Sequence, residues 1–395
     1  MKILSVNAGS SSLKFSLIKL PEEFEIASGL FERISLDNSF YKIKFNDINI
    51  KEEAKITNHE KAINILIEEL LENKVINSLE EIEGIGHRVV HGGEKYIKSV
   101  IIDDDVIKGI EDCSELAPLH NPANLTGIKA FLKHLPNVTN VAVFDTAFHQ
   151  TMKQDIYLYP IPYDLYTNYG IRKYGFHGTS HKYINQYISK YLKKDNLKVI
   201  SCHLGNGSSI TAIDSGQVVD TSMGFTPLAG LMMGTRSGDI DPGIIEYLMK
   251  KTNKSIDEVM HILNKESGLL GISGLSSDSR DVEIAALDGD ERSNLAEEIC
   301  SNKIVNYIAM YNNLLNGADI IAFTAGIGEN SKLMRERVLD KLTSLNIAYD
   351  KDKNDFRGEF RKISTRKSKI EVYVIPTNEE LMIALETYDL IKKGI

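Results

Sequence analysis

The sequence predicts a two-domain α/β protein whose halves are related by duplication, and three observations carry that expectation. A chain of 395 residues exceeds what one ordinary core accommodates. Short apolar runs of strand character alternate along it with segments of helical period. The pattern of Ile3 to Leu13, a strand, a glycine turn and serines, returns at Val199 to Ile210, about half the chain further on. Setting Ser5 against Ser201 also sets Gly9 against Gly205 and Ser12 against Ser208.

Taken in order, Ile3 to Val6 reads as a buried strand. After the turn, Leu13, Phe15 and Leu17 alternate with Lys14 and Ser16, so the second strand buries one face and turns Lys14 outward. Ile26 to Ile34 and Tyr41 to Phe45 extend this sheet. Asn58 caps a helix whose apolar residues run from Ala62 to Leu71 with a 3.6 period. Ile85 to Val90 is a strand on which Arg88 and Val90 share one face. Helices follow near Asp105 to Leu116 and Pro122 to Leu135, then a buried strand, Val138 to Phe144, with Asp145 at its carboxyl end. The Tyr- and Pro-rich stretch from Thr146 to Phe176 marks the domain boundary. The first domain is therefore set at 1–148, completed by the final helix at 382–395, and the second at 149–381. Beyond the boundary, Thr179 is placed to cap a helix to about Lys193, and Ser255 with Glu258 forms a capping box. Asn294 to Asn316 is a long helix. Asp319 to Phe323 is a strand leading into Thr324-Ala-Gly326-Ile-Gly328-Glu-Asn330 and a helix from Ser331, an arrangement suited to anions.

Composition narrows the function. A net charge of −9 argues against a nucleic-acid surface. No apolar run approaches the roughly 20 residues that span a bilayer, so no membrane association and a cytoplasmic location are expected. Cys113, Cys202 and Cys300 have no metal-binding spacing and read as reduced thiols. The three glycine-rich turns point to nucleotide phosphates. Neither a Walker loop nor a GxGxxG motif in strand–helix context occurs.

The glycine-rich hairpins resemble those of the actin-like, ribonuclease H-like nucleotide-binding superfamily, which implies two domains of mixed sheets flanked by helices with a nucleotide cleft between them. Nine segments in order then resemble the acetokinase family of acetate kinases. They are Asn7 to Lys14, His87 to Gly93, Ala117 to Pro122, Phe144 to His149, Gly175 to His181, Gly205 to Ser209, Met233 to Pro242, Phe323 to Asn330 and Pro376 to Glu380. Together they cover the chain from Met1 to its last helix. The resemblance implies reversible, direct in-line transfer of the γ-phosphoryl group of ATP to acetate, giving acetyl phosphate and ADP. It also implies a homodimer built mainly through the second domain.

The same resemblance implies roles. Arg88, Asp145, His177 and Arg236 would be catalytic, with Arg88, Val90, Leu119, Phe176 and Pro227 around the acceptor. Ser10, Ser12, Lys14, His203, Leu204, Gly205, Asn206, Gly207, Asp278, Ser279, Arg280, Gly326, Ile327, Gly328 and Asn330 would meet nucleotide or phosphate. Asn7 and Glu379 would hold Mg²⁺, with Mn²⁺ as an alternative and Asp145 nearby. Chemistry agrees with such a set. A carboxylate is already ionised near neutral pH, so the transfer needs cations and donors rather than a base. The residues alone leave other readings open: a salt bridge from Arg236 to Asp239 or Asp241, a structural role for His177, a cap for His120, and an arginine-orienting role for Asp145. Ser279 departs from the family, whose members carry an aromatic residue there, and it cannot stack on a base. Rival functions are a propionate or butyrate kinase, a sugar kinase with Asp145 as base, and an actin-like filament or chaperone ATPase.

Overall fold

Two sheets organise the chain. A computed structural model describes every residue except Leu119 and Ile395, and it divides into two units, Met1–Gln150 with Asn378–Ile395, and Thr151–Thr377.

The first unit contains strands β1 (Lys2–Ala8), β2 (Ser12–Lys19), β3 (Phe24–Glu32), β4 (Phe40–Phe45), β5 (Ile48–Glu53), β6 (Ile82–Val89), β7 (Val100–Ile101) and β8 (Thr139–Phe144) in the order β5-β4-β3-β2-β1-β6-β8-β7. β1 to β5 form an antiparallel meander, and β1, β6 and β8 run parallel. Leu13, Phe15 and Leu17 join Phe31, Leu66 and Phe131 in the core on one face, but Ser16 and Ile18 on the other face are buried as well, so beyond Lys14 the strand is covered on both sides rather than on one. Gly84 and Gly86 open the opposite face of β6. A Cβ at Gly86 would lie 2.3 Å from Thr387 Oγ1, so only glycine lets the C-terminal helix Glu379–Lys393 lie this close to the strand. This contact sets the start of that helix, and with it Glu379, near the carboxyl ends of the parallel strands.

The second unit has β9 (Lys198–Leu204), β10 (Ser208–Asp214), β11 (Gln217–Thr221), β12 (Ile320–Thr324), β13 (Arg361–Lys362) and β14 (Glu371–Val374), ordered β11-β10-β9-β12-β14-β13. β11, β10 and β9 are antiparallel neighbours, and β9, β12 and β14 are parallel. The order and directions of β3-β2-β1-β6-β8 are thus repeated in β11-β10-β9-β12-β14, which gives the sequence repeat a topological counterpart. The two hairpins differ in closure. Ala8 pairs with Leu13, whereas Leu204 pairs with Ser208, so the first turn is one residue longer. The long helix Glu291–Leu314 packs Ile304, Ile308 and Tyr311 into the core of this sheet.

Several local expectations change. The helix Gly178–Leu192 starts two residues earlier than a Thr179 cap allows. His177 occupies the cap position in the left-handed region (φ 60°), without a side-chain capping bond. β6 ends at Val89, so Val90 lies beyond the alternation that would align it with Arg88; its amide donates to Asn124 Oδ1 at 3.1 Å. The cysteines are free, with Cys202 and Cys300 buried, and the capping box at Ser255 and Glu258 is formed.

Candidate active site

In the first unit, Arg88 near the end of β6 forms an ion pair with Asp145, which follows β8 and is fully buried. Its Nε also lies 3.3 Å from Asp145 Oδ1 and 3.9 Å from a Glu379 oxygen, and Nη1 reaches Asn7 Oδ1 at 3.5 Å. Asp145 therefore orients an arginine. Burial, with repulsion from Asp145 and Glu380, pushes the Glu379 carboxyl up to about 7, although Arg88 and Lys14 pull it down. Asn7, Asp145 and Glu379 bring hard oxygen donors together around one guanidinium. Lys14 is half-exposed and paired with Glu380 at 2.5 Å. The first hairpin closes through the Gly9 amide on Ser12 O at 2.9 Å, with Ser10 exposed and Ser12 partly buried. His120 stands at the N-cap of the helix Asn121–His134 and makes no side-chain capping bond. The acceptor expectation at Leu119 lies outside the described residues.

In the second unit, the hairpin of β9 and β10 meets Arg236 and His177. A Cβ at Gly207 would lie 2.8 Å from Arg236 Nη2 and 3.3 Å from His177 Nε2, so three elements converge on one glycine. Ser209 Oγ, 2.9 Å from His177 Nδ1, fixes the ring so that Nε2 faces this point. The His177 and His203 rings stack at 4.2 Å. Arg236 donates through Nη1 to Pro227 O at 2.7 Å. It has no carboxylate partner among the described residues, so the Asp239 and Asp241 bridges are not formed, and burial alone lowers its pKa. Phe176 is buried in this unit. His181 is held at both nitrogens, by Ser201 and Ser209 at 2.8 Å each, as a structural histidine.

Beside this cluster a cavity of about 600 Å³ is lined by Gly205, Asn206, Asp278, Ser279, Arg280, Gly326, Ile327 and Asn330. Asp278 caps the helix Ser279–Leu287 and pairs with the exposed Arg280 at 2.5 Å. His203, Leu204, Gly207 and Gly328 do not line it. Leu204 is in the core, and the Gly328 carbonyl accepts from Arg335 at 2.9 Å. The helix expected from Ser331 is present as Lys332–Lys341 with Ser331 as its cap, but the glycine segment before it is itself helical rather than an open anion loop. That segment spans only Ala325–Asn330, and the Ala325 amide already donates to Glu329 Oε1 at 2.7 Å. Ser331, the start of the helix that follows the glycine motif, also lines the cavity; sequence reasoning missed Ser277, Glu283 and Arg357 on its wall, because none stands within a glycine motif.

Comparison with known proteins decides the class. The chain matches the acetokinase family over residues 2–385. It is 54% identical over 395 residues to an acetate kinase of Geobacillus sp. (strain WCH70), covering 100% of both chains. The chain belongs to the acetokinase family. An acetate kinase of Porphyromonas gingivalis superposes with a TM-score of 0.94 at 42% identity, covering 99% of each chain. A propionate kinase of Francisella tularensis subsp. tularensis SCHU S4 gives the same TM-score at 45% identity, with 98% of this chain and 99% of that one covered. Family membership makes this chain an enzyme, a kinase of the phosphotransferase class, with two mixed sheets flanked by helices as its duplicated, actin-like fold.

Proposed function

We propose that the enzyme transfers the γ-phosphoryl group of ATP to acetate, reversibly and in line, giving acetyl phosphate and ADP. The observation that carries this reading is Arg236, a largely buried guanidinium whose charge no carboxylate balances, beside a histidine nitrogen at a glycine hairpin. A buried cation of this kind is stabilised by an anion that arrives with the substrate. The carboxylate oxygen of acetate attacks the γ-phosphorus, and the bond to the β–γ bridging oxygen breaks with its electron pair leaving on ADP. No proton moves, so neither His177 nor Asp145 is needed as a base. Arg236 and His177 Nε2 donate to the equatorial phosphoryl oxygens as charge spreads over them. Arg88, held in plane by Asp145, orients the acceptor carboxylate.

Val90, Phe176 and Pro227 are assigned to the methyl group of the acceptor, and the glycine hairpins with Ser10, Ser12 and Lys14 to the phosphates. Asn7 and Glu379, with Asp145, fit Mg²⁺. Their donors are hard oxygens, and Glu379, its carboxyl raised first by burial and then by the charges of Asp145 and Glu380, lies where a dication would offset negative charge. No cluster of three or more acidic, His or Cys residues able to cage a metal occurs among the described residues, which suits an ion sharing its ligands with water and phosphate. The ion supplies charge neutralisation of the phosphates. A homodimer through the second unit is supported by the helix Gly243–Thr252, which buries no residue and exposes Ile244 and Tyr247. No described helix is long and apolar enough to cross a membrane, and we assign the enzyme to the cytoplasm.

The relative that is a propionate kinase favours propionate as a second acceptor. Trapping the product with hydroxylamine tests the central reading. Acetate- and ATP-dependent acetohydroxamate supports it, and ATP hydrolysis without any acyl phosphate opposes it.

A further inference from the structure

Asp239 lies three residues after Arg236, in reach of it along the chain, yet its oxygens are engaged elsewhere. The Gly230 amide donates to Oδ1 at 2.7 Å, and the Asp239 amide returns a bond to Gly230 O at 2.9 Å, sealing the loop at its two ends. Within the loop the Met233 amide donates to Arg236 O at 3.1 Å, and the Gly234 amide to Asn206 O at 3.0 Å, so the loop is pinned to the glycine hairpin. The remaining carboxylate oxygen accepts from the hydroxyl of Tyr307, on the long helix of the core. Burial and this hydrogen bond raise the Tyr307 pKa, so the hydroxyl stays a donor. Tyr307 is itself braced edge-on against the buried Tyr311, with ring centroids 5.7 Å apart.

We propose that Tyr307 is a positioning residue for phosphoryl transfer: by holding Asp239 it ties the Arg236 loop to the core helix and keeps that carboxylate from pairing with Arg236. The inference rests on Arg236 acting in the transfer. Without the hydroxyl, the second oxygen of the exposed Asp239 is released, and Arg236, on the same loop, carries a charge that no carboxylate balances. An internal ion pair then competes with the transferring group. Neither Tyr307 nor Asp239 lines the cavity of Asp278 and Ile327, so the effect falls on the chemical step rather than on nucleotide binding.

Tyr307→Phe removes one oxygen and keeps the ring contact. Its kcat is expected to fall about tenfold, with KM for ATP within about twofold of wild type and the melting temperature nearly unchanged. Asp239→Asn in the Tyr307→Phe background keeps an oxygen for the Gly230 amide but carries no charge to capture Arg236. It is expected to recover kcat to within about threefold of wild type, a rescue that a merely structural role of Tyr307 does not produce. Wild-type kcat in Tyr307→Phe, or a loss that Asp239→Asn leaves unrepaired, overturns the proposal. Arg236→Ala measured alongside separates the two readings. If it loses activity while Tyr307→Phe does not, only the link through Asp239 is wrong. If it keeps wild-type kcat, the role of Arg236 itself is wrong and the proposal falls with it.

Discussion

Arg88 and Asp145 form an ion pair at the carboxyl ends of neighbouring parallel strands, and the carboxylate of that pair is wholly buried. The two site arginines are therefore unlike: Arg88 is held by a carboxylate and Arg236 by a single carbonyl, that of Pro227. Replacing them should give different phenotypes. Arg88→Ala removes an ion-pair partner of the wholly buried Asp145, and should cost about 3 kcal/mol of stability as well as raising KM for the acceptor. Arg236→Ala should leave stability nearly unchanged and lower kcat by about 10²-fold or more. Denaturant unfolding alongside steady-state kinetics checks both, and equal stability losses would contradict the distinction.

Gly207 leaves space that His177 and Arg236 occupy. Gly207→Ala places a methyl 2.8 Å from Arg236 Nη2, closer than unstrained contact permits. The flexible end of the arginine yields, so the protein should fold normally and lose about tenfold or more in kcat. A variant with wild-type kcat would mean that the two side chains need not meet at this hairpin.

Stability should depend on pH through Glu297, which is 2% exposed on the long helix with Oε2 unpartnered. Burial, followed by the charge of Glu283, pushes its carboxyl up to about 7 from the usual 4.5. Between those values the folded protein holds a proton that the unfolded chain has released. Stability therefore falls as pH rises through the window, and the whole penalty is present above about 7. Glu297→Met removes this loss and should be more stable than wild type by on the order of 1 kcal/mol near pH 8, with a smaller gain near pH 5. Parallel stability curves for the two proteins would contradict it.

Base selectivity should be loose. Ser279 begins a helix on the cavity wall and offers no ring to the base, while Arg280 is exposed and paired with Asp278. GTP should be used with kcat/KM within about a hundredfold of ATP, and Ser279→Phe should sharpen the preference. A wild-type GTP efficiency a thousandfold below that of ATP would count against this.

What the sequence made legible was set by strong local patterns. The outward Lys14 of β2, the paired glycine hairpins and the capping box at Ser255 each follow from nearest neighbours and appear in the structure, whereas the burial of Ser16 and Ile18 on the face of Lys14 does not follow from the alternation. Where a distant partner decides the outcome, the sequence was silent or misleading. Thr179 has the chemistry of a cap, yet His177 takes that position with a positive φ as the chain turns into the helix. Gly326 to Asn330 reads as an open glycine loop before the helix from Ser331, but the motif's own Glu329 occupies the Ala325 amide and also accepts from the Thr377 amide at 3.0 Å. Asp239 beside Arg236 suggested a salt bridge, and Tyr307, from the long helix, draws that carboxylate away.

The central claim is that the acceptor is a small carboxylate whose methyl group meets an apolar wall. The most direct measurement is kcat/KM for acetate, propionate and butyrate, each read as acyl hydroxamate formed with ATP. A maximum at acetate is expected, with propionate lower by about 10–100-fold yet measurable, since one methylene discriminates by only about 1–3 kcal/mol. A maximum at butyrate, or no acyl phosphate from any of the three, would contradict it.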